Sequence, residues 1–312
     1  MIESGSLTPG VSAADFGLPA GSAIRYELPA PALRELMPTY VAMDSDPAVY
    51  DHSVGSWMLP SWAQIWVVLT AGPIAVTIGS RRYEELSPVT LYGVTSRAMP
   101  VSSNGGVTVC VDLSPLGWAR LFAPAAQDLR DRITPLDRLM PAARVAELAA
   151  ELRATDGGPG VKPVLDAFFE RHLPPPHPDE PLIVRVQALL ADPTTRDLAA
   201  GAAEIGISQQ TLLRVSKRHF GFPPKLLLRR ARFVRALAGM LVSPGPVDHS
   251  AVPPGYHDVP HFIRDANHFL GMTPRRFLSM ELLYLRAALR ARLLVTAVAT
   301  PSLDLPDATP LG

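Results

Sequence analysis

Gln209, Gln210, Leu213, Arg214 and Lys217 fall on one side of the stretch Gln209–Phe220, while Leu212 and Val215 fall on the other. On a helix, the first side would be a reading surface. A carboxamide can pair with the N6 and N7 edge of adenine, a guanidinium with O6 and N7 of guanine, and a leucine with a thymine methyl. The free N–H groups of a helix N-terminus also favour phosphate. The preceding residues fit what must hold such a helix. Ser208 can cap it. Gly206 supplies the positive φ that ends an earlier helix. Ile207 plugs the angle between the two, and Ala202 is small where they cross. Leu198–Val215 thus reads as helix, tight turn, helix, a pattern that two packed helices with a polar surface also satisfy.

The pattern recurs. Ala202–Gly206 aligns with Ala251–Gly255, Leu212 with Phe262, and Arg214 with Arg264, an offset of 49 to 50 residues. Phe220-Gly-Phe-Pro-Pro224 answers to Leu270-Gly-Met-Thr-Pro274. A long helix, Pro224–Leu241, joins the copies and could set two recognition helices in successive major grooves, about 34 Å apart.

Over about residues 181–278 this arrangement resembles the C-terminal DNA-binding domain of the AraC/XylS family of bacterial transcription regulators. The matching residues are Ser208, Leu212, Arg214, Gly221 and Pro224, then Arg229, Arg230 and Arg232, then Gly255, Tyr256, Asp258, His261, Phe262 and Arg264, and finally Gly271-Met-Thr-Pro274 with Phe277. The resemblance implies a one-component regulator whose variable N-terminal domain senses or dimerises. Its base-reading positions fall on Gln210, Leu213 and Arg214, then on Pro260, Ile263 and Arg264. Ser208, Gln209, Thr211, Lys217, Arg218, His261, Arg275 and Arg276 are the expected backbone contacts. Pro260 and Ile263 have no side-chain hydrogen bond to offer a base, so the second unit is expected mainly to grip phosphates, with Arg264 its remaining reader. Pro253-Pro254 interrupts the first helix of that unit. Ser216 and Ala266 stand where the family usually has a large aromatic, and Phe220 and Phe269 are the residues placed to fill those gaps. Double-stranded DNA, a small-molecule effector, a second copy of the chain and RNA polymerase are the partners this implies.

Composition agrees with that division. The 312 residues carry 29 basic and 29 acidic groups. Residues 1–179 hold 13 basic and 19 acidic groups, while 180–292 hold 16 and 8. The later stretch is therefore suited to a polyanion. One cysteine excludes a disulfide scaffold and a thiolate zinc site. Met1–Gly21 has no basic n-region or apolar h-region, and no uncharged apolar run approaches 18 residues, so a cytoplasmic protein is expected.

The expected fold class is α+β: a β-rich, cupin-like barrel or sandwich with trailing helices, then an all-α pair of helix-turn-helix units. Residues 1–21 are read as a flexible segment, 22–172 as the sensing or dimerising domain, 173–181 as a Pro-rich linker, 182–278 as the DNA-binding domain, 279–299 as an extra helix and 300–312 as a tail. Trp62–Thr70 and Ile74–Ile78 read as a hairpin, Pro88–Tyr92 and Val107–Val111 as further strands. Helices are expected at Pro115–Phe122, Ala142–Arg153, Val164–His172, Leu182–Ala191, Arg196–Ile205, Gln209–Phe220, Pro224–Leu241, Asp248–Val252, Val259–Leu270 and Pro274–Ala299. Leu282, Leu285, Leu289 and Leu293 form a stripe that must be covered by the N-terminal domain or by a partner subunit.

No catalytic residue, cofactor or metal is expected. His52 alone in the β region gives no ligand set, and His257, His261 and His268 read as core and surface groups. Cys110 reads as buried filler, and Asp44, Asp46 and Asp51 as a solvated turn. Trp57, Trp62 and Trp66 could line an apolar ligand pocket or simply form the barrel core. Two functions remain: a sequence-specific transcription regulator, or a degenerate relative acting through protein contacts with weak DNA binding. A cupin-type enzyme would need an acid–base pair or ligand set that the sequence lacks.

Overall fold

In this computed structural model, residues 1–49, 56–155, 157–195, 197–243, 245, 247–248 and 250–297 are described. Ten strands lead: β1 (Ser22–Glu27), β2 (Tyr40–Ser45), β3 (Ser56–Met58), β4 (Ala63–Val68), β5 (Pro73–Ile78), β6 (Arg81–Glu84), β7 (Val89–Tyr92), β8 (Met99–Ser103), β9 (Gly106–Leu113) and β10 (Ile133–Pro135). Among the described residues ten α-helices follow or interleave: α1 (Pro115–Leu121), α2 (Ala142–Arg153), α3 (Val161–His172), α4 (Glu180–Ala191), α5 (Leu198–Glu204), α6 (Gln209–Phe220), α7 (Pro224–Val242), α8 (Val259–Leu270), α9 (Pro274–Leu278) and α10 (Leu283–Ala297). The class is α+β, as the residue patterns imply.

The strands form two antiparallel sheets, ordered β1-β2-β9-β4-β7-β10 and β3-β8-β5-β6. The larger sheet is buried on both faces. Ala63, Ile65 and Val67 of β4 and Val109, Val111 and Leu113 of β9 face the helices. The alternate residues, Trp66 and Cys110, which sit opposite each other in the ladder, face the smaller sheet. Two-sided burial explains why these strands read as continuous apolar runs.

Several elements depart from expectation. Trp62–Thr70 and Ile74–Ile78 are not a hairpin, because β4 and β5 lie in different sheets. Ala71 and Gly72 both take positive φ (35° and 102°), and the chain crosses between the sheets there. Residues 1–21 are not loosely held: Gly5 exchanges backbone hydrogen bonds with Ile24 and Tyr26, each 3.0 Å, and Phe16 is buried. The expected helix Asp248–Val252 is absent among the described residues there. The expected single helix Pro274–Ala299 is two. Ser279 turns its hydroxyl back onto Arg276 O (2.9 Å), ending α9 so that the chain can re-enter at a new angle as α10. His52, Asp51, residues 298–299 and the tail 300–312 lie outside the described residues.

The Pro-rich stretch 173–181 does not separate one core from another. A single buried cluster runs from Leu33 and the larger sheet through Phe168 and Ile183 to Leu212, Val215 and Phe220. Across it Arg120 grips Glu180 with two hydrogen bonds, 2.5 and 2.7 Å, which hold the Glu180 carboxyl below its usual pKa. A second cluster joins α7 and α8 to Leu59, Ala98 and α10.

The C-terminal helix fills the seam. Leu282, Leu285 and Leu289 pack into the second cluster, while Ala291 and Val295 enter the cluster between the sheets. The predicted leucine stripe is thus covered by this chain itself, and a second stripe of small residues on α10 is buried too.

Candidate nucleic-acid interface

The two units share their local chemistry. Gly206 and Gly221 have φ of 72° and 79°, and Gly255 and Gly271 have 81° and 73°. These are left-handed turns that favour glycine, at matching places. Ser208 accepts from Thr211 N (3.1 Å) at the start of α6, and Asp258 accepts from His261 N (2.6 Å) at the start of α8. A helix (α5) packs before α6, whereas among the described residues no helix lies between α7 and α8, where the chain turns through Pro253-Pro254.

On α6, Leu212, Val215, Ser216, His219 and Phe220 face inward. Ser208, Gln209, Gln210, Leu213, Arg214 and Arg218 are exposed, and Thr211 and Lys217 are half-buried. The outward groups are therefore those the sequence singles out. On α8, Pro260, Ile263 and Arg264 are exposed, as are Arg275 and Arg276 on α9. Leu213 and Ile263, fifty positions apart in matching places, are both large apolar side chains left on the outer faces. His261 is drawn inward: its Nε2 lies 3.2 Å from Arg232, and its ring packs edge-on against Tyr256.

The substituted positions lie inside the core. Ser216 and Ala266 are fully buried. Phe220 sets its ring edge-on to Trp62 at 5.8 Å, and Phe269 stacks on Phe233 at 5.1 Å. Ser216 Oγ is buried without a hydrogen-bond partner. Removing an unsatisfied buried hydroxyl relieves a desolvation penalty. Ser216→Ala is therefore expected to raise stability by about 1 kcal/mol, seen as a higher urea midpoint at unchanged slope.

Both units are docked on the β region through residues 93–98. Arg230 is fully buried, donates to Ser61 O (3.0 Å) and Thr95 O (3.1 Å), and lies 4.2 Å from the Trp62 ring centroid. Arg97 donates to His268 O and Ala98 N to Phe269 O, each 2.7 Å, tying down the C-terminal end of α8. Within the second unit, buried Asp265 accepts from Arg229 (2.6 Å), Arg232 (3.2 Å) and Tyr256 (3.0 Å). Burial alone would raise the Asp265 pKa, but these donors hold it below the usual carboxylate value. Sequence matching picked out Arg229, Arg232 and Tyr256 and missed Asp265, their common acceptor.

Behind this interface lies a cavity of about 220 Å³ between the sheets. Trp57, Trp62 and Trp66 all line it, together with Gln64 and Asp112 of the larger sheet and Arg292 of α10. Asp112 accepts from Thr39 Oγ1 (2.5 Å) and Gln64 Nε2 (2.6 Å), with Arg292 at 3.5 Å. Cys110 is buried in the same wall, where burial raises its thiol pKa and keeps it protonated.

Residues 202–280 match the family model of the helix-turn-helix domain, so the C-terminal region of this chain carries that domain. Among solved structures, unsaturated fatty acid-bound wild-type ToxT from Vibrio cholerae strain SCE256 is 13% identical with a TM-score of 0.41, over 84% of this chain and 96% of that one. ToxT from Vibrio cholerae O395 bound to (E)-4-(8-methylnaphthalen-1-yl)but-3-enoic acid is 14% identical with a TM-score of 0.41, over 74% of this chain and 94% of that one. No curated protein sequence matches the chain.

Proposed function

We propose that this protein is a sequence-specific, effector-modulated transcription regulator whose first unit reads bases with Gln210, Leu213 and Arg214. The observation that carries this is the outer face of α6. Its two glutamines, Leu213 and Arg214 are exposed together at the N-terminal half of a capped helix, while the opposite face is locked into the core. Ser208, Gln209, Thr211, Lys217 and Arg218 flank them as phosphate contacts, and Arg264, Arg275 and Arg276 supply the grip of the second unit. The tryptophan-lined cavity is the effector site. It is walled by both sheets and by α10, so an occupant would touch the β region and the helical region at once. Its expected protein partners are a second copy of the chain and RNA polymerase, and its place of work the cytoplasm. Among the described residues no helix is long and apolar enough to cross a membrane.

Selection of bound sequences from a random DNA pool at two salt concentrations tests this directly. A defined operator should emerge, with affinity falling steeply as salt rises. Arg214→Ala should lose about 1–3 kcal/mol of discrimination at a single base position. Recovery of the same sequences with the same preferences by Arg214→Ala would refute the assignment.

A second reading, a relative that works mainly through protein contacts, is favoured by one observation. The second unit lacks its first helix among the described residues and presents Pro260 and Ile263 outward. Gel shifts that show no preference among genomic fragments would select it.

A further inference from the structure

Two histidines and an aspartate meet where the Pro-rich stretch crosses the recognition helix. His219, in the last turn of α6, is 2% exposed, and its Nε2 lies 2.9 Å from Asp179 Oδ2. His177 precedes Asp179 by two residues, and its Nδ1 accepts from Asp179 N at 3.0 Å. The two imidazole rings approach edge-on, centroids 5.2 Å apart. One donor atom from each of the three residues lies within 4.8 Å of the other two.

We propose that His177, Asp179 and His219 form a divalent transition-metal site, best suited to zinc, that pins the Pro-rich stretch to the recognition helix. Two imidazoles and a carboxylate are a zinc ligand set, with a fourth tetrahedral position left for water. Zinc–donor bonds near 2.0–2.2 Å set tetrahedral donors about 3.4 Å apart, so the His219–Asp179 pair, now at 2.9 Å, must open slightly while His177 draws in. His177 and Asp179 are half-buried on a stretch outside regular structure, where such a shift is easiest. An outer sphere is also present. Glu180 accepts from His177 N (2.7 Å) and is itself held by Arg120, which fixes the backbone beside two ligands.

Arg214 and Arg218 contribute positive charge nearby, and they bound the affinity rather than the geometry.

The test is titration of the untagged full-length chain with Zn²⁺ against a chromophoric chelator, together with thermal unfolding with and without the ion. One equivalent is expected to bind and to raise Tm. His177→Ala and Asp179→Asn, both on the more exposed side of the site, should keep the fold. Each should lose more than the roughly 10–100-fold in affinity that removal of an outer-sphere partner costs, and with it the shift in Tm. His172→Ala, which alters a histidine paired with Glu147 elsewhere, should bind as the parent does. No stoichiometric binding, or binding that survives both His177→Ala and Asp179→Asn, overturns the proposal. DNA binding by the zinc-free protein is read separately, so failure here leaves the regulator assignment standing.

Discussion

Arg230→Ala should lower the unfolding free energy by about 4 kcal/mol, near the top of what one substitution does. The guanidinium donates to two backbone carbonyls from different regions of the β domain and lies over the Trp62 ring. Hydrogen bonds to charged groups contribute about 1.5–3 kcal/mol, and a desolvated cation–π contact about 2 kcal/mol. The cost of desolvating the charge offsets some of that sum. After truncation Thr95 O would stay buried beside a void without the guanidinium, while Ser61 O would keep Thr95 N (3.0 Å) as a donor. Arg230→Met keeps most of the volume and should lie between alanine and the parent. Urea unfolding of the three proteins checks the order. A loss under 1 kcal/mol for alanine would mean that the carbonyls find water. Because Ser61 and Thr95 belong to the β region and Arg230 to α7, the same substitution should also loosen the helix-turn-helix domain from its support, visible as faster amide exchange in α7 and α8.

Asp265→Asn should cost about 2–3 kcal/mol, less than a fully enclosed pair because Arg229 and Arg232 are partly exposed. The variant keeps the shape of the side chain while leaving two guanidiniums without their shared anion. The pH dependence has a definite sign. The folded-state pKa of Asp265 lies below that of the unfolded chain, so its contribution is complete above the unfolded value of about 3.9. It is lost as pH falls through the folded value. The parent should therefore lose stability more steeply than Asp265→Asn on acidification below about pH 4, and the two curves should converge there. Curves that stay parallel would show that the carboxylate is not held by those donors.

The recognition helix was legible in the sequence because a helix-turn-helix is local. Its glycine, cap and apolar period all lie within about twenty residues, and α6 and α8 begin and end where those signals put them. The cross-chain features were not legible. Nothing in Trp62–Ile78 tells a hairpin from a crossing between sheets, because either needs the same Ala-Gly turn. Burial of Phe16 and the bridge at Gly5 depend on partners about twenty residues away or far beyond, as at α10. The Pro-rich stretch reads as a spacer by composition, yet Arg120, sixty residues earlier, holds Glu180 within it. The histidine–aspartate cluster was hidden likewise, since His177 and Asp179 are separated from His219 by 42 and 40 residues. Of α10, the leucine stripe was visible, but the alanines on its other face carry no signal until the sheets they meet are known.

The position of α10 bears on how the chain comes into being. The helix that plugs the seam between the two sheets is translated after every strand it covers. While the ribosome is still at work, the β region has emerged but its seam stays open, with Tyr26, Trp66 and Val76 short of their last neighbours. Completion of the amino-terminal half thus waits on the carboxy-terminal one. The nascent chain passes through an interval in which that apolar seam lacks its cover, and the interval ends only when this late helix arrives.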